Sequence, residues 1–286
     1  MTYLEAIILG LVQGIFMFVP VSSTAHLVLT QHLMIAGGSQ MPSPESPAMI
    51  LFDLVVHVGT LISIAVVFWK SLSALLHRTV TETTRQFRTP GQGVGPFSRL
   101  FLMGMLTVLV TGVLGLLFKS TLELVFSAPQ VLVVTLSLTA VLLFLTDRLP
   151  KRPLGVKSIG PRIAIIIGVA QALALIPGIS RSGITIIAGL YSGLKRRWAA
   201  EYSFLVAIPT ILAASLMQSV EVMRGAGLEG VGVGPMLVGF VVAAVSGTFA
   251  LKLVLSLLYK AQLKVFSIYL IALAAVIGFG LLDGII

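Results

Sequence analysis

The chain has 286 residues, of which 57% are hydrophobic and only 10% charged, and its mean hydropathy is +1.07. Soluble domains carry roughly 25% charged residues, so the composition excludes a soluble enzyme, a disordered chain and a nucleic-acid-binding domain. The net charge of +9 instead suggests basic loops on one membrane face, and with no Cys there is no disulfide framework, thiolate metal site or cysteine nucleophile.

The first element, Tyr3–Leu33, is apolar but broken at Pro20-Val21-Ser22-Ser23-Thr24. Each half is too short to cross a bilayer comfortably, which predicts a re-entrant helical hairpin with its turn inside the membrane. A cleaved signal peptide is the competing reading, but no basic start precedes the apolar run. Three spans of about 20 apolar residues follow, at Ala48–Trp69, Phe97–Phe118 and Pro129–Thr146. Between the first two lies a long basic loop, Lys70–Arg99, read either as a surface segment near anionic headgroups or as a topogenic charge cluster.

A second broken region, Ile163–Leu194, is interrupted at Pro177-Gly178-Ile179-Ser180-Arg181-Ser182, and three more spans complete the chain at Ala199–Val220, Pro235–Leu257 and Val265–Leu282. Gly225–Gly234 reads as an external loop. The expected fold is therefore an all-α integral membrane protein with six transmembrane helices and two re-entrant hairpins. With this layout one side receives fifteen of the 19 Lys and Arg residues, the other only Lys119 and Arg224, while Lys252 and Arg181 lie in apolar segments. The bias makes the basic side cytoplasmic and both termini external. Hairpin plus three spans occurs twice, as residues 1–147 and 148–286. An odd number of spans inverts the second unit, and inverted repeats place a site near the midplane. The echo of Gln13 before Pro20 and Gln171 before Pro177 agrees with a repeat.

Arg181 is the most informative residue. At membrane depth an Arg costs roughly 2.5–3.5 kcal/mol on insertion scales, so it needs a partner: a structural carboxylate, the membrane interface, or a bound anion. Guanidinium forks onto phosphate, and Ser180, Ser182, Gly178, Gly183 and Thr185 surround it with hydroxyls and close backbone at the start of the returning helix. Ser22, Ser23 and Thr24 offer the same chemistry from the first hairpin; each alone is an ordinary helix cap.

His26 follows on the first turn of its helix, either as a satisfied hydrogen-bonding group or as an acid, base or nucleophile. Asp53 and His57, four apart, share a helix face and form either a structural pair or the proton-handling or metal-holding part of the site. Glu201 reads as interfacial, and Gln13 and Gln171 either stabilise hairpin packing or orient a ligand.

Two motif regions, Gln13-Gly14-Ile15-Phe16-Met17-Phe18-Val19-Pro20-Val21-Ser22-Ser23-Thr24-Ala25-His26 and Pro177-Gly178-Ile179-Ser180-Arg181-Ser182-Gly183-Ile184-Thr185, resemble the integral-membrane undecaprenyl-diphosphate phosphatases linked to bacitracin resistance. The second matches the family pattern PGxSRSxxT in full, and the similarity covers nearly the whole chain. The resemblance implies hydrolysis of a polyprenyl diphosphate to the monophosphate carrier of envelope glycan synthesis in the bacterial plasma membrane. It also implies phosphate binding by Arg181 and its neighbouring serines, with Ser23 and His26 beside the reacting phosphorus. The family's first motif is Glu or Gln, three residues, then Glu; here the last position is Met17. A thioether neither accepts a proton nor holds a hard Mg²⁺ or Ca²⁺ ion, which leaves the cofactor open and Asp53 as a substitute carboxylate. It also leaves open a non-hydrolytic carrier moving a polyprenyl phosphate between leaflets, and a lipid-phosphate sensor. The bilayer and the lipid are the expected partners, with no nucleic acid; a homodimer is an open expectation.

Overall fold

The computed structural model describes residues 1–88, 93–118, 129–225 and 231–282. Among these the chain is helical, with eleven α-helices and no named strand. In order they are α1 (Tyr3–Phe18), α2 (Ser23–Ala36), α3 (Pro47–Val67), α4 (Trp69–Arg88), α5 (Pro96–Leu117), α6 (Pro129–Asp147), α7 (Pro161–Leu173), α8 (Arg181–Tyr191), α9 (Arg196–Gly225), α10 (Val233–Tyr259) and α11 (Lys264–Leu282).

Local sequence accounts for the starts and stops. Thr2 and Glu5 form a capping box on α1, and Ser46 caps α3 by accepting from the Met49 N–H. Proline opens α3, α5 and α7, where its missing N–H costs nothing. Pro20 lies just past α1, and Ser22 takes a left-handed φ of 68° before α2 begins. The second hairpin breaks at Leu173, ahead of Pro177, and α8 resumes at Arg181.

Each expected span corresponds to a helix. Four of them, Pro47–Val67, Pro96–Leu117, Arg196–Val220 and Val233–Tyr259, are long and apolar enough to cross a membrane. Large apolar side chains cover the outside: Leu109, Val134, Leu216, Phe249, Ile268 and Phe279 are 62–70% exposed. A soluble surface does not tolerate so much apolar area, and the protein is a multi-pass membrane protein. Polar side chains turn inward instead, with Gln13, Thr60, Thr107 and Gln171 at 0–2% exposure.

One expectation is corrected. Most of the basic segment Lys70–Arg99 is not a loop: Trp69–Arg88 forms α4, which packs on α3 and α5. Trp69, Leu76, Val80 and Phe87 recur with helical period within this charged run, which is why it forms a helix and not the expected loop. Glu82 ties it down by accepting from the backbone N–H groups of Phe97 and Ser98 at 3.0 and 2.9 Å, capping α5 from outside. Residues 119–128, with Lys119, and residues 226–230 of the expected loop Gly225–Gly234 lie outside the described residues, while Val233 and Gly234 already belong to α10.

Packing follows a paired pattern. α1 lies against α10 and α7 against α5; α3 contacts α10 and α9 contacts α5; α6 and α11 pair, as do α3 and α9. The α1–α10 seam is made of small residues four apart, Gly10 and Gly14 facing Gly239, Ala243 and Gly247. A Cβ on Gly14 would meet the Ser246 hydroxyl and come within 2.7 Å of the Ala243 carbonyl, so the backbones touch, as small-residue motifs allow. The α5–α7 seam uses hydroxyls, with Thr107 donating to the Ala164 carbonyl and Thr111 to that of Gly168.

Candidate active site

The two hairpin turns abut. Ser182 Oγ donates to the Phe18 carbonyl at 3.4 Å, and a Cβ on Gly183 would stand 3.1 Å from the Pro20 ring. Gly178 has φ +84°, and a Cβ there would collide with the hydroxyl of Thr135, which donates to the Pro177 carbonyl at 2.7 Å. The Pro-Gly pair is therefore required both by the backbone and by close approach to α6.

Beneath the turns lies a cavity of about 440 Å³ lined by Ser22, Ser23, Thr24, Asp53, His57, Gln171, Ser180, Arg181 and Ser182, among others. Met17 also lines it. Its sulfur accepts from Arg181 Nη2 at 3.4 Å and Gln13 Nε2 at 3.5 Å, and the Ser23 hydroxyl lies 3.9 Å away. Three donors thus converge on one weak acceptor, and among the described residues no carboxylate pairs with Arg181. The guanidinium is held in the cavity wall with most of its donor capacity unspent.

The two helix starts differ. Ser180 caps α8 by accepting from the Gly183 N–H at 3.2 Å, and Thr185, one turn into α8 and not at its start, donates back to the Arg181 carbonyl. No side chain caps α2, whose opening residues Ser23 and Thr24 line the cavity. Its positive end and unbonded amides are suited to an anion.

Asp53 is the one carboxylate in the cavity wall, and its Oδ1 accepts from Gln31 Nε2 at 2.9 Å. His57 donates from Nδ1 to the backbone carbonyl of Asp53 at 2.7 Å, not to its carboxylate. A carbonyl only accepts, so His57 Nε2 carries the lone pair. His26 is not in the cavity wall: it is stacked on Phe16 with ring centroids 4.0 Å apart. Its Nδ1 donates to the Ser22 carbonyl at 2.8 Å, and its Nε2 accepts from the Tyr269 hydroxyl at 2.6 Å.

Glu201 is also elsewhere. It is buried, and is bonded to Arg197 at 2.8 Å and to Ser71. Gln171 lines the cavity, donating to Thr111 and Thr210 with its Oε1 unpartnered, as is that of Gln13. Sequence reasoning missed Gln31, Phe16 and Tyr269. Gln31 carried the same signal as Gln13, an amide in an apolar helix; Tyr269, 243 residues from His26, carried none.

No group of three His, Asp or Glu side chains among the described residues gathers to hold a metal. One carboxylate, one imidazole, hydroxyls, amides and a thioether line the cavity, fewer anionic oxygens than a hard divalent cation takes.

These features define a polytopic helical membrane protein with an anion-accepting cavity under two broken helices. Residues 6–276 match the family described as Bacitracin resistance protein BacA, and the chain belongs to that family. It is 56% identical over 280 residues to a protein of Halorhodospira halophila and 55% identical over 279 to one of Alkalilimnicola ehrlichii, covering 96–97% of each chain. A third relative, from Carboxydothermus hydrogenoformans, is 36% identical over 94% of both chains. All three bear the name undecaprenyl-diphosphatase.

Proposed function

We propose that this protein is a membrane phosphatase that hydrolyses undecaprenyl, or a related polyprenyl, diphosphate to the monophosphate lipid and inorganic phosphate. The observation that carries the reading is the Arg181 guanidinium, without a carboxylate partner, in a cavity wall shared with the uncapped start of α2. The names of its relatives supply the substrate class.

In this reading the terminal phosphate takes the space in front of Arg181, its oxygens accepting from the guanidinium and from the first amides of α2. A water beside Ser23 attacks the terminal phosphorus, or Ser23 Oγ does so and water then cleaves the phosphoserine; in either case the bond to the bridging oxygen breaks, the lipid monophosphate leaves and inorganic phosphate is released. The proton of the attacking hydroxyl passes to Asp53 or His57 Nε2, the basic groups in the wall. His26 is a positioning residue, fixing the Ser22 carbonyl in the left-handed turn that aims Ser23.

The reciprocal helix packing supports inverted halves, 1–147 and 148–286, with re-entrant hairpins. The basic connections meet at one end, where Lys264 N–H bonds Asp147 and Ser71 bonds Glu201; at the other end Ser39 meets Glu5. We read the former as the cytoplasmic end in a bacterial plasma membrane.

Phosphate release from undecaprenyl diphosphate by purified protein tests the reading. Arg181→Ala should lower turnover at least a hundredfold and Arg181→Lys partly restore it. Lipid-phosphate binding without release by the wild type would favour the carrier reading instead.

A further inference from the structure

A second cavity, of about 490 Å³, lies at the opposite end of α8 from Arg181. α8 has 11 residues, so at 1.5 Å per residue its two ends are roughly 16 Å apart. Arg181 opens the helix, and Leu190, next to its last residue, lines the second cavity. Three connections build the walls. The α6–α7 link gives Lys151 and Arg152, the α8–α9 link gives Lys195 with Arg196 opening α9, and the α10–α11 turn gives Lys260.

These five cations face one lining carboxylate, Asp147. One oxygen of that carboxylate accepts from the Lys264 N–H at 2.7 Å; the other, buried and without a hydrogen bond, is ion-paired to Arg196 Nη1 at 3.7 Å, so one negative charge faces five positive ones. Arg196 is anchored by donating from Nη2 to the Thr146 carbonyl at 3.0 Å. Arg152 Nε and Arg196 Nη1 are both buried and without hydrogen-bond partners. Buried cationic donors left unpaired are costly, and the positive end of α9, which starts at Arg196, adds to the deficit of negative charge.

Loop cations that merely set topology are dispersed in water. Here they enclose a volume large enough for a diphosphate, Arg152 Nε is withdrawn from solvent without a hydrogen-bond partner, and Arg196 Nη1 has only the Asp147 oxygen at 3.7 Å. We propose that this cavity is a second phosphate site, binding a polyanion with two or more phosphate charges or a phospholipid headgroup, separate from the Arg181 cavity. Guanidinium forks and lysine point charges together match phosphate oxygens. The assignment does not rest on the phosphatase reading, because it uses neither the Arg181 cavity nor any residue in it.

The test uses full-length Arg181→Ala protein in phosphatidylcholine nanodiscs, so that the first site is removed. Pyrophosphate binding is measured by calorimetry, and phosphatidylglycerol retention by native mass spectrometry after exchange into mixed-lipid discs. Binding that falls at least tenfold in Arg152→Gln/Lys195→Gln, and is kept by the charge-conserving Arg152→Lys/Lys195→Arg, is expected. Loss of pyrophosphate binding identifies a soluble phosphate ligand; loss of phosphatidylglycerol alone identifies a headgroup. Absence of both ligands from the parent, or binding indifferent to the glutamines, overturns the proposal. Lys195→Gln alone, at an exposed position, gives a partial loss if the double variant does not fold.

Discussion

Met17 concentrates the chemistry of the first cavity, because Arg181, Gln13 and Ser23 all approach its sulfur within 3.4–3.9 Å. The thioether fills space and accepts weakly but performs no proton transfer. Met17→Leu should therefore leave phosphate release within about threefold of wild type. Met17→Glu would put a carboxylate where three donors already converge, pairing with Arg181 and supplying a base beside Ser23. We expect turnover to rise about tenfold and to become dependent on Mg²⁺ or Ca²⁺, read from phosphate release with and without chelator; unchanged rates would mean that Asp53 and His57 already suffice. Conversely, Asp53→Asn keeps the Gln31 contact but removes one of the two proton acceptors; if Asp53 rather than His57 takes the proton, it should cost roughly a hundredfold in kcat with little change in KM. The sequence made Arg181 and Asp53 legible because charge in an apolar segment is costly. It could not show that His26 turns toward Tyr269, since that contact depends on how α11 is set against the first hairpin.

At the scale of elements, α4 shows how a charged sequence acquires a place. Trp69, Leu76, Val80 and Phe87 are spaced 7, 4 and 7 residues apart and so share one exposed helix face, while Arg78 points away and stacks on Phe97 at 4.8 Å. An apolar stripe beside a basic one is the pattern of a helix lying in a membrane interface. The attachment to the bundle depends on Glu82, whose carboxylate serves two amides that nothing else in the first turn of α5 caps. Glu82→Ala should cost about 1–2 kcal/mol, lowering the Tm of the detergent-solubilised protein by several degrees, whereas Glu82→Gln, which still accepts, should recover about half. The hairpin breaks were readable from Pro20 and Pro177, since proline cannot continue a helix. The helix at Trp69–Arg88 is harder to read, because it is too charged for an apolar span and only its period marks it.

At the scale of the whole molecule, sequence spacing predicts six apolar spans, four of which are long apolar helices in the structure, and two broken segments, but not which helices meet. That is decided by surfaces such as Gly10 and Gly14 against Gly239, Ala243 and Gly247, whose fit becomes visible only when α1 and α10 are brought together across more than 200 residues. In hydrocarbon, helices gain nothing by hiding apolar area from lipid, so van der Waals fit at small residues selects the partner. The same seam fixes which end of α1 lies near which end of α10, and with it the sidedness of the cavities. If the end carrying Lys151, Lys195 and Lys260 is cytoplasmic, residues at the opposite end, near Glu45, face outward. The chain contains no Cys, so single cysteines report position without background. Glu45→Cys and Lys157→Cys both replace exposed side chains at opposite ends of the bundle. A membrane-impermeant maleimide applied to intact cells should label the first and spare the second until the membrane is permeabilised. The reverse pattern would invert the bundle and place the second phosphate site on the outer face.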